Sequence, residues 1–346
     1  MGEKVYGLLG RKLGHSWSAP IHAALGCADY RLIELEPEEL GAFLAREDIG
    51  GLNVTIPYKR DVMAYCDVLD PMAEAIGSVN TLVRRADGKL YGYNTDAAGF
   101  CFMAQRAGIG FAGRKTLVLG SGGASVTVCA VLRDLGAASV TVISRSGPDN
   151  YENLERHADA QIIANTTPLG MYPNNGAAPA DLRTFPHCAC VLDVVYNPAR
   201  TALLLQAEAL GIPCAGGLYM LVAQAKRSCE VFTGTTIDDG EILRIYRRMR
   251  QEMEKLICYV GQRQVIEKAD VDAVCCVFVE NKIFDMIRAV AEKNQRQAMQ
   301  LYDDLVTLKE PPMRILYLII KQFNTLYEIR DLAVQGYPAS AIAEKT

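Results

Sequence analysis

The alternation of short apolar runs with longer helix-like segments constrains the fold of this chain more than any other feature. It extends from Val5 to about Arg250. Within it, the run "KTLVLG" at Lys115–Gly120 is almost continuously apolar, as in a strand that is buried on both faces. Strands that alternate with helices form mainly parallel sheets with helices packed on them. The sequence therefore predicts an α/β fold for roughly the first 250 residues.

The pattern changes after about Arg250, where helical periodicity replaces the strand-like runs. Apolar residues recur there with helical spacing in three groups: Ile283, Met286, Ile287 and Val290; Leu301, Leu305 and Leu308; and Ile315, Leu318, Ile319, Phe323 and Leu326. Stripes of this kind are typical of helices that face a core. We therefore expect residues 251–346 to form an all-helical C-terminal appendage.

Charge and cysteine spacing exclude several classes of function. The formal net charge of −4 argues against a broad electrostatic grip on nucleic acid. The 11 cysteines are scattered and show no paired zinc-type spacing, so the sequence predicts no metal site. No signal peptide and no apolar run of membrane-spanning length is apparent. These features predict a cytoplasmic protein with reduced thiols.

A glycine-rich loop follows the apolar run at Lys115–Gly120. The residues in the loop and at the start of the next helix-like segment are Gly120, Ser121, Gly122, Gly123 and Ala124. Glycines in such a loop let the backbone approach a pyrophosphate, which then lies at the helix N-terminus. An ordinary strand–helix turn can have the same residues, but the strand–loop–helix–strand context favours dinucleotide binding.

The end of the following strand distinguishes between two dinucleotides. An NAD site usually carries an acidic residue at this point, to hold the ribose hydroxyls. The segment "VISRSG" instead offers Ser144 and Arg145. An arginine can pair with a 2′-phosphate, so this segment favours NADP over NAD, whereas a solvated arginine is the alternative.

Several polar residues lie within apolar surroundings in the N-terminal half of the chain. They are Ser16 and Ser18 in "GHSWSAPIH", Thr55 and Lys59 in "GLNVTIPYKRD", Asn80 in "GSVNTLV" and Asp96 in "GYNTDAAGF". Each has an ordinary structural explanation when it is taken singly. Lys59 could be a solvated residue after a turn, and Ser16, Ser18 or Asp96 could cap a helix.

Taken together, these segments resemble the shikimate dehydrogenase family. The matching motifs, in the family's order over about residues 3–250, are "HSWSAPIHAAL", "LNVTIPYK", "AIGSVNTLV", "GYNTDAAGF", "VLGSGGAS", "ANTTPLGMYP", "DVVYNPARTALL" and "GGLYMLVAQA". The resemblance implies a shikimate-binding catalytic domain at 1–97 with 216–250, and a Rossmann-like NADP-binding domain at 98–215. It also implies NADP-dependent, reversible reduction of 3-dehydroshikimate to shikimate, in chorismate and aromatic amino acid biosynthesis.

The resemblance further implies roles for individual residues. Lys59 and Asp96 would form an acid–base pair, because ketone reduction needs a proton for the developing alkoxide and a lysine held by a carboxylate can supply it. The substrate would be held by Ser16 and Ser18 at its carboxylate, with Tyr196 on the same side, and by Thr55, Asn80, Asp96 and Gln224 at its hydroxyls. The cofactor would be bound by the loop from Gly120 to Ala124 and by Ser144, Arg145, Thr166, Gly217 and Met220.

The sequence departs from the family pattern in the segment after Arg145. The residues "SRSGPDNYENL" contain acids where the family often has further basic residues, which weakens the expected preference for NADP. The segment between Arg145 and Asn165 is also short, which predicts a trimmed strand–helix unit. A quinate/shikimate dehydrogenase of broader specificity is an alternative, although the pair of Ser16 and Ser18 favours shikimate.

The segment from about Met253 resembles a different family, the delta subunit of the bacterial DNA polymerase III clamp loader. The similarity lies in "MEKLICYVGQRQVIEKADVDAVC", "VENKIFDMIRAVAEKNQRQAMQLYDDLVTLKEPPMRILYLIIKQFN" and "LAVQGYPASAIAEK", which match the lid region and the start of the collar domain. Some relatives of the dehydrogenase carry a C-terminal shikimate kinase. No phosphate-binding G-x-x-x-x-G-K-[ST] loop follows Met253, which argues against that reading.

The two resemblances meet at a junction near "RRMRQEMEKL". This junction allows two origins for the chain and two functions. The favoured hypothesis for its origin is an artificial or assembly-derived chimera, and the alternative is a natural fusion whose tail recruits a clamp-loader-like partner. An enzyme acting on a small-molecule substrate rests on residues 3–250, whereas a replication-related interaction protein rests on the tail alone. A partial lid and collar would bury its apolar stripes poorly, so homodimers or larger oligomers are also expected.

Overall fold

The structure is a computed structural model that divides into two compact units, Met1–Arg250 and Gln251–Thr346. It describes residues 4–13, 16–27, 29–261, 263, 270, 286–291, 293–307 and 311–335. Within these ranges, no helix is both long enough and apolar enough to cross a membrane.

The first sheet of the N-terminal unit has six strands. They are β1 (Val5–Gly10), β2 (Tyr30–Glu34), β3 (Ile49–Val54), β4 (Val68–Leu69), β5 (Thr81–Arg84) and β6 (Leu90–Tyr93), in the order β2-β1-β3-β5-β6-β4. Strands β1, β2 and β3 are parallel, whereas β5 runs antiparallel to β3 and β6. The α/β class is confirmed, but this sheet is mixed because the short β5–β6 hairpin reverses the chain direction.

Three helices accompany the first sheet. They are α1 (Ser18–Ala24), α2 (Leu40–Leu44) and α3 (Pro71–Ile76), and shorter 3-10 helices lie at Pro37–Glu39 and Asp61–Tyr65. A compact apolar core lies on this sheet, with Ile49 and Leu52 of β3 fully buried against Leu44 of α2. Burial of side chains of this size contributes about 1.5–3 kcal/mol each, which fixes the sheet that presents the polar residues.

The second sheet is entirely parallel. Its strands are β7 (Lys115–Leu119), β8 (Ser139–Ile143), β9 (Ile162–Asn165), β10 (Cys190–Asp193) and β11 (Cys214–Gly216), in the order β11-β10-β9-β7-β8. Helix α5 (Gly123–Asp134) connects β7 to β8, and α6 (Ala202–Ala209) connects β10 to β11. Only a 3-10 helix at Leu154–His157 lies between β8 and β9, so this crossover is short, as its length in the sequence predicts.

Both faces of the second sheet are buried, which explains the apolar run in β7. Val118 faces a cluster that includes Val128 and Leu132 of α5, whereas Leu117 and Leu119 face a second cluster on the other side. A strand with apolar partners on both faces loses the alternating pattern of a half-buried strand.

Two further helices join the sheets of the first unit. Helix α4 (Thr95–Arg106) leads from the first sheet toward the second, and α7 (Leu218–Thr233) returns to pack against it. The two helices approach closely at Gly99, where an added Cβ would lie 2.6 Å from the backbone oxygen of Met220. Helix α8 (Gly240–Val260) follows, and its Ile242 and Ile245 pack against α7.

The second unit is helical in the part that the structure describes. Helices Gln295–Thr307 and Pro312–Val334 pack around Leu305 and Ile315, together with Met286 and Ile287 of a helical segment at 286–291. This agrees with the predicted helical appendage.

The predicted stripes of the second unit are only partly buried. Leu318 and Ile319 pack on the cluster around Leu305 and Ile315, but Phe323 and Leu326 are 41% and 46% exposed, and Val290 is also exposed. These exposed side chains agree with the expectation that a partial lid and collar buries its stripes poorly, since the cluster covers only the first turns of Pro312–Val334. Ile283 and Leu308 lie outside the described residues.

Candidate active site

An ion pair between Lys59 and Asp96 lies at one edge of the first sheet. The Lys59 Nζ atom donates a hydrogen bond to Asp96 Oδ2 over 2.6 Å, and the two side chains are 31% and 19% exposed. Such partly buried charges are screened less than a surface pair. Lys59 is therefore not a solvated residue after a turn, because it has a fixed partner.

The segment between β3 and Lys59 is held in place by its own contacts. The Tyr58 ring is buried and its hydroxyl donates to the Leu35 carbonyl oxygen. The Val79 N–H donates to the Lys59 carbonyl oxygen over 2.8 Å. The lysine backbone is thus anchored on both sides, which limits the positions that its amine can reach.

Asp96 lies in the first turn of α4, where the helix dipole favours a negative charge. Asn94, not Asp96, caps this helix, since the Asn94 side chain accepts a hydrogen bond from the Ala97 N–H. The capping interpretation of Asp96 is therefore wrong, and its carboxylate is free to pair with Lys59.

The side-chain amide of Asn80 has a defined orientation. Its Oδ1 atom accepts hydrogen bonds from the Thr95 N–H at 2.7 Å and from the hydroxyls of Thr95 and Thr81, each at 3.1 Å. Three donors on one atom identify it as the oxygen. Within the described residues, Asn80 Nδ2 donates to no protein atom, so the amide presents a hydrogen-bond donor to a ligand.

A buried polar network supports this orientation from below. Asn53 Nδ2 donates to Ser228 Oγ over 2.7 Å, and the hydroxyls of Ser228, Thr81 and Thr95 lie within 3.1 Å of one another. Tyr30 donates in turn to Asn53 Oδ1 over 2.8 Å. A satisfied buried network rigidifies the groups it contains.

The members of this network were not among the residues predicted from the sequence. The one indication was the asparagine within the apolar strand "GLNVT", because a buried amide requires partners. Its partner Ser228 lies 175 positions away in α7, at a distance along the chain that no local pattern covers.

Sheet topology brings the predicted substrate residues to the same edge. Ser16 and Ser18 follow β1, and Thr55 and Lys59 follow the parallel neighbour β3. Asn80 precedes the antiparallel strand β5 and Asp96 follows β6, so both lie at that edge as well. Side chains that reach one edge from four adjacent strands form a single polar surface.

The two serines differ in their local roles. Ser16 Oγ accepts a hydrogen bond from the Ser18 N–H over 3.1 Å, while Trp17 takes the N-cap position of α1 without a side-chain bond. Neither serine is therefore the N-cap of α1. Both side chains are half-buried. Within the described residues, the Ser18 hydroxyl makes no hydrogen bond to the protein, so it is available to a ligand.

Gln224 and Met220 reach this region from α7. Gln224 is half-buried, and its Nε2 donates to the Leu221 carbonyl oxygen over 3.2 Å. The close helix contact at Gly99 brings the Gln224 Cβ within 2.9 Å of the position of an added Cβ. Since Gly99 lies one turn after Asp96, the contact places Gln224 beside the first turn of α4.

The glycine-rich loop has the geometry that a pyrophosphate requires. Gly120 has a φ of +103°, and an added Cβ there would lie 2.8 Å from Thr167 Cγ2, so only glycine fits. Gly122 is the N-cap of α5 and Gly123 its first residue, and added Cβ atoms at both would meet open space. Ser121 and Ala124 are also exposed beside them. The N-terminus of α5 is thus open to an anion.

The remaining predicted cofactor residues lie at the carboxyl ends of neighbouring strands. The Thr166 hydroxyl donates to the Leu119 carbonyl oxygen over 2.8 Å, which ties the end of β9 to the end of β7. Gly217 approaches the backbone so closely that an added Cβ would lie 2.0 Å from the Val194 carbonyl oxygen. Ser144 and Arg145 follow β8. Ligands of open parallel sheets bind at this edge.

Two side chains at this edge are partly solvated. Arg145 is exposed, and its positive charge opposes the rise that burial causes in the pKa of Tyr151. Tyr196, which follows β10, is 36% exposed, and burial of the rest of its ring raises the pKa of its phenol.

Asp193 is a buried carboxylate at the same edge that the sequence did not single out. Its oxygens accept hydrogen bonds from Asn165 Nδ2, the Val195 N–H and Thr201 Oγ1. Burial nevertheless raises its pKa, because desolvation outweighs these bonds. It joins the ends of β9 and β10 rather than facing a ligand.

Two family models match the chain. The model for the shikimate dehydrogenase substrate binding domain matches residues 8–82, and the model for the DNA polymerase III delta subunit, C-terminal domain, matches residues 280–346. Within the described residues, no group of three or more metal-ligating side chains is assembled.

Curated relatives cover the first unit. The shikimate dehydrogenase (NADP(+)) of Clostridium perfringens is 34% identical over 268 residues, which cover 71% of this chain and 98% of the relative. The enzyme of the same name from Oleidesulfovibrio alaskensis is 40% identical over 256 residues, with coverage of 67% and 90%.

Solved structures show the same similarity. A chorismate mutase/shikimate 5-dehydrogenase fusion protein from Clostridium acetobutylicum has a TM-score of 0.69 at 33% identity, and the match covers 73% of this chain and 100% of that one. Shikimate 5-dehydrogenase from Thermus thermophilus, solved in complex with NADP(H) and shikimate, has a TM-score of 0.63 at 32% identity, with coverage of 71% and 99%.

Proposed function

The chain belongs to the shikimate dehydrogenase family, and on that premise we propose that Lys59 and Asp96 are the catalytic pair of an NADP-dependent shikimate dehydrogenase. The reaction is the reversible reduction of 3-dehydroshikimate to shikimate. The observation that carries the assignment is the 2.6 Å contact between Lys59 Nζ and Asp96 Oδ2 at the polar edge of the first sheet.

The proton chemistry follows from this pair. The chemistry that NADPH would supply when bound is a hydride for the ketone carbon. The Lys59 ammonium donates a proton from Nζ to the developing alkoxide, and in the reverse direction the Lys59 amine takes the hydroxyl proton. Asp96 holds the amine in position by the direct hydrogen bond.

Hydrogen-bonding groups around the pair select the substrate. Asn80 Nδ2 is an oriented donor for a ring hydroxyl, and Thr55 and Gln224 complete this side of the site. Ser16, Ser18 and Tyr196 take the carboxylate. A site that pairs each polar group of its substrate discriminates strongly against analogues that lack one, because buried groups are then left unpaired.

The residues at the carboxyl edge of the second sheet would hold the cofactor. The open N-terminus of α5, from Gly120 to Ala124, would hold the pyrophosphate. Ser144 and Arg145 would hold the 2′-phosphate of the adenosine half, and Thr166, Gly217 and Met220 would hold the nicotinamide half. The acids that follow Arg145 are expected to reduce the preference for NADP over NAD without reversing it.

The second unit is assigned a role in association rather than in catalysis. Its helix Pro312–Val334 exposes apolar side chains, and a second copy of the chain is the partner that we propose. A clamp-loader-like partner is the alternative occupant, supported by the match at residues 280–346. A cytoplasmic location stays a prediction from the sequence.

Replacing Lys59 by methionine tests the catalytic assignment. Methionine has a similar length but no amine that can donate or accept a proton. We therefore expect the rate of NADP reduction by shikimate to fall by about 10²–10⁴-fold. Lys89→Met, at an exposed turn between β5 and β6, is the matched control and should keep the wild-type rate. A Lys59→Met protein that folds and retains most of the activity would refute the assignment.

A further inference from the structure

Two cysteines that are 202 positions apart in the chain lie side by side. The Sγ atoms of Cys27 and Cys229 are 3.4 Å apart, and both thiols are free. Cys27 lies in the short connection between α1 and β2, whereas Cys229 is in α7 and fully buried. The fold therefore assembles a dithiol that no spacing in the sequence predicts.

The two thiols have complementary environments. Cys27 is half-buried, and its pKa is lowered because the Cys229 thiol can donate a hydrogen bond to the Cys27 thiolate. The same contact, together with burial, raises the pKa of Cys229. An accessible thiol with thiolate character and a buried thiol in contact with it match the attacking and resolving partners of thiol–disulfide exchange.

Cys188, Cys190 and Cys258 lack this combination of an accessible thiol and a buried thiol in contact with it. Burial raises the pKa of Cys188 to about 11 and that of Cys190 to about 12, so neither is a ready nucleophile at neutral pH. Cys258 is exposed and has no cysteine beside it among the described residues. The contrast makes Cys27 the thiol from which exchange can start.

The local backbone allows the sulfurs to approach. A disulfide requires an S–S distance of about 2.05 Å, so the two atoms must move closer by roughly 1.3 Å. Cys27 lies outside the regular helix, directly after Gly26 with a φ of +94°. The Cys27 N–H donates to the His22 carbonyl oxygen over 2.8 Å at the end of α1, so rotation of the two side chains about their Cα–Cβ bonds is the movement that leaves this bond intact.

We propose that Cys27 and Cys229 form a redox-active dithiol, a modification site that reacts with low-molecular-weight disulfides such as oxidised glutathione. The Cys27 thiolate attacks one sulfur of the small disulfide, which forms a mixed disulfide and releases one thiolate. The Cys229 thiol then passes its proton to the released thiolate, and its sulfur attacks the Cys27 sulfur, which closes the internal disulfide and expels the second small thiolate, protonated from water. Two protein thiols are oxidised and one small disulfide is reduced to two thiols.

The internal disulfide would connect two elements that carry proposed substrate residues. Helix α1 begins at Ser18, and Cys229 directly follows Ser228, whose hydroxyl belongs to the network beneath Asn80. The site does not depend on the proposed function, because it is read out as a covalent bond. The test of the dithiol can therefore fail while the dehydrogenase assignment holds, and the reverse is also true.

The reduced full-length protein, incubated with oxidised glutathione, provides the test. After alkylation and digestion without reductant, mass spectrometry should detect a peptide that joins Cys27 to Cys229, and titration should show a loss of two thiols. The melting temperature of the oxidised protein should rise by several degrees, because the bond closes a long loop in the unfolded chain. Dithiothreitol should reverse all three changes.

Two variants and one control complete the experiment. Cys27→Ser should abolish the joined peptide, and Cys229→Ala should stop the reaction at a mixed disulfide of Cys27 with glutathione. Cys258→Ser is the control and should oxidise like the wild type. The proposal is overturned if wild-type Cys27 and Cys229 both remain open to alkylation. A stable glutathione adduct on wild-type Cys27, without loss of the Cys229 thiol, overturns it as well.

Discussion

At the scale of single residues, Asn80 shows how a fixed hydrogen-bond pattern determines what a side chain can offer a ligand. Its Oδ1 is occupied by Thr81 and Thr95, so only the Nδ2 donors remain for a substrate. The distinction matters because an amide without these partners could rotate and present an acceptor instead. Residues that never touch a substrate can thus set the polarity of the site.

Asn80→Asp tests this donor. An acceptor oxygen would replace Nδ2, so we expect kcat/KM for shikimate to fall by about 100-fold, mainly through KM. Asn80→Ser removes the amide without adding a charge and should also raise KM. Asn294→Asp, at an exposed position of the second unit, is the control. Unchanged shikimate KM in both Asn80 variants would contradict the proposed contact.

His22 predicts a pH dependence of stability. Its ring is fully buried against Tyr30, with ring centroids 3.9 Å apart, and burial lowers its pKa from 6.5 to about 4. A lowered histidine pKa means that its contribution to stability is complete above about pH 6.5. The contribution is lost as the pH falls toward about 4, with a total on the order of 3 kcal/mol.

Urea unfolding at a series of pH values between about 7 and 4 measures this loss. His22→Asn keeps a side-chain N–H for the Ser18 carbonyl oxygen, which the ring Nδ1 contacts over 2.9 Å. The variant does not titrate, so its free energy of unfolding should fall less steeply with acid than that of the wild type. Parallel curves for the two proteins would show that His22 does not contribute to the loss of unfolding free energy in acid.

At the scale of elements, the crossing of α4 and α7 is a close contact between two backbones. Gly99 permits it, because an added Cβ would lie 2.6 Å from the Met220 oxygen, which is far below ordinary contact. The contact holds the first turn of α4, with Asp96, beside the turn of α7 that carries Gln224. The geometry of the site therefore depends on a residue with no polar side chain.

Gly99→Ala is expected to separate the two helices. The methyl group meets backbone atoms that cannot rotate away, so we expect a loss of about 1–3 kcal/mol in the free energy of unfolding and a lower kcat/KM. Gly110→Ala is the matched control, because an added Cβ there meets nothing within 4 Å and the φ angle is ordinary. Equal free energies of unfolding for the two variants would show that α4 and α7 accommodate the added methyl group.

The sequence predicts elements better than it predicts their contacts. The apolar run of β7 and the glycines after it indicated a buried strand and an open helix N-terminus, because both depend on local residues. The partners Asn53 and Ser228 were out of reach, since their contact joins segments 175 positions apart. A helical period also cannot tell which part of a stripe finds a partner, as the exposed Phe323 shows.

At the scale of the whole molecule, helix Pro312–Val334 of the second unit presents an uncovered apolar surface. Five of its exposed side chains are Met313, Leu316, Ile320, Phe323 and Tyr327. Their spacing of three or four residues places them along one side of the helix, as in helices that pair with a second helix. An exposed apolar stripe of this length is unusual on a helix of a monomeric protein.

Self-association through this stripe can be measured by light scattering coupled to size exclusion. The wild-type mass should approach that of a dimer as the concentration rises, and Phe323→Lys with Tyr327→Lys should keep the protein monomeric. Asn324→Lys adds a charge to another exposed position of the same helix and should leave dimers intact. A wild-type protein that is monomeric at every concentration would contradict the proposed homodimer.

The close pairing of α4 with α7 also limits how the two sheets of the first unit can move. The chain enters the second sheet after α4 and leaves it before α7, so both connections run through the same helix pair. A free hinge needs connections that can swing, whereas two helices locked at Gly99 allow only small sliding displacements. Opening and closing around a substrate is therefore expected to occur by sliding of this helix pair rather than by rotation about a free hinge.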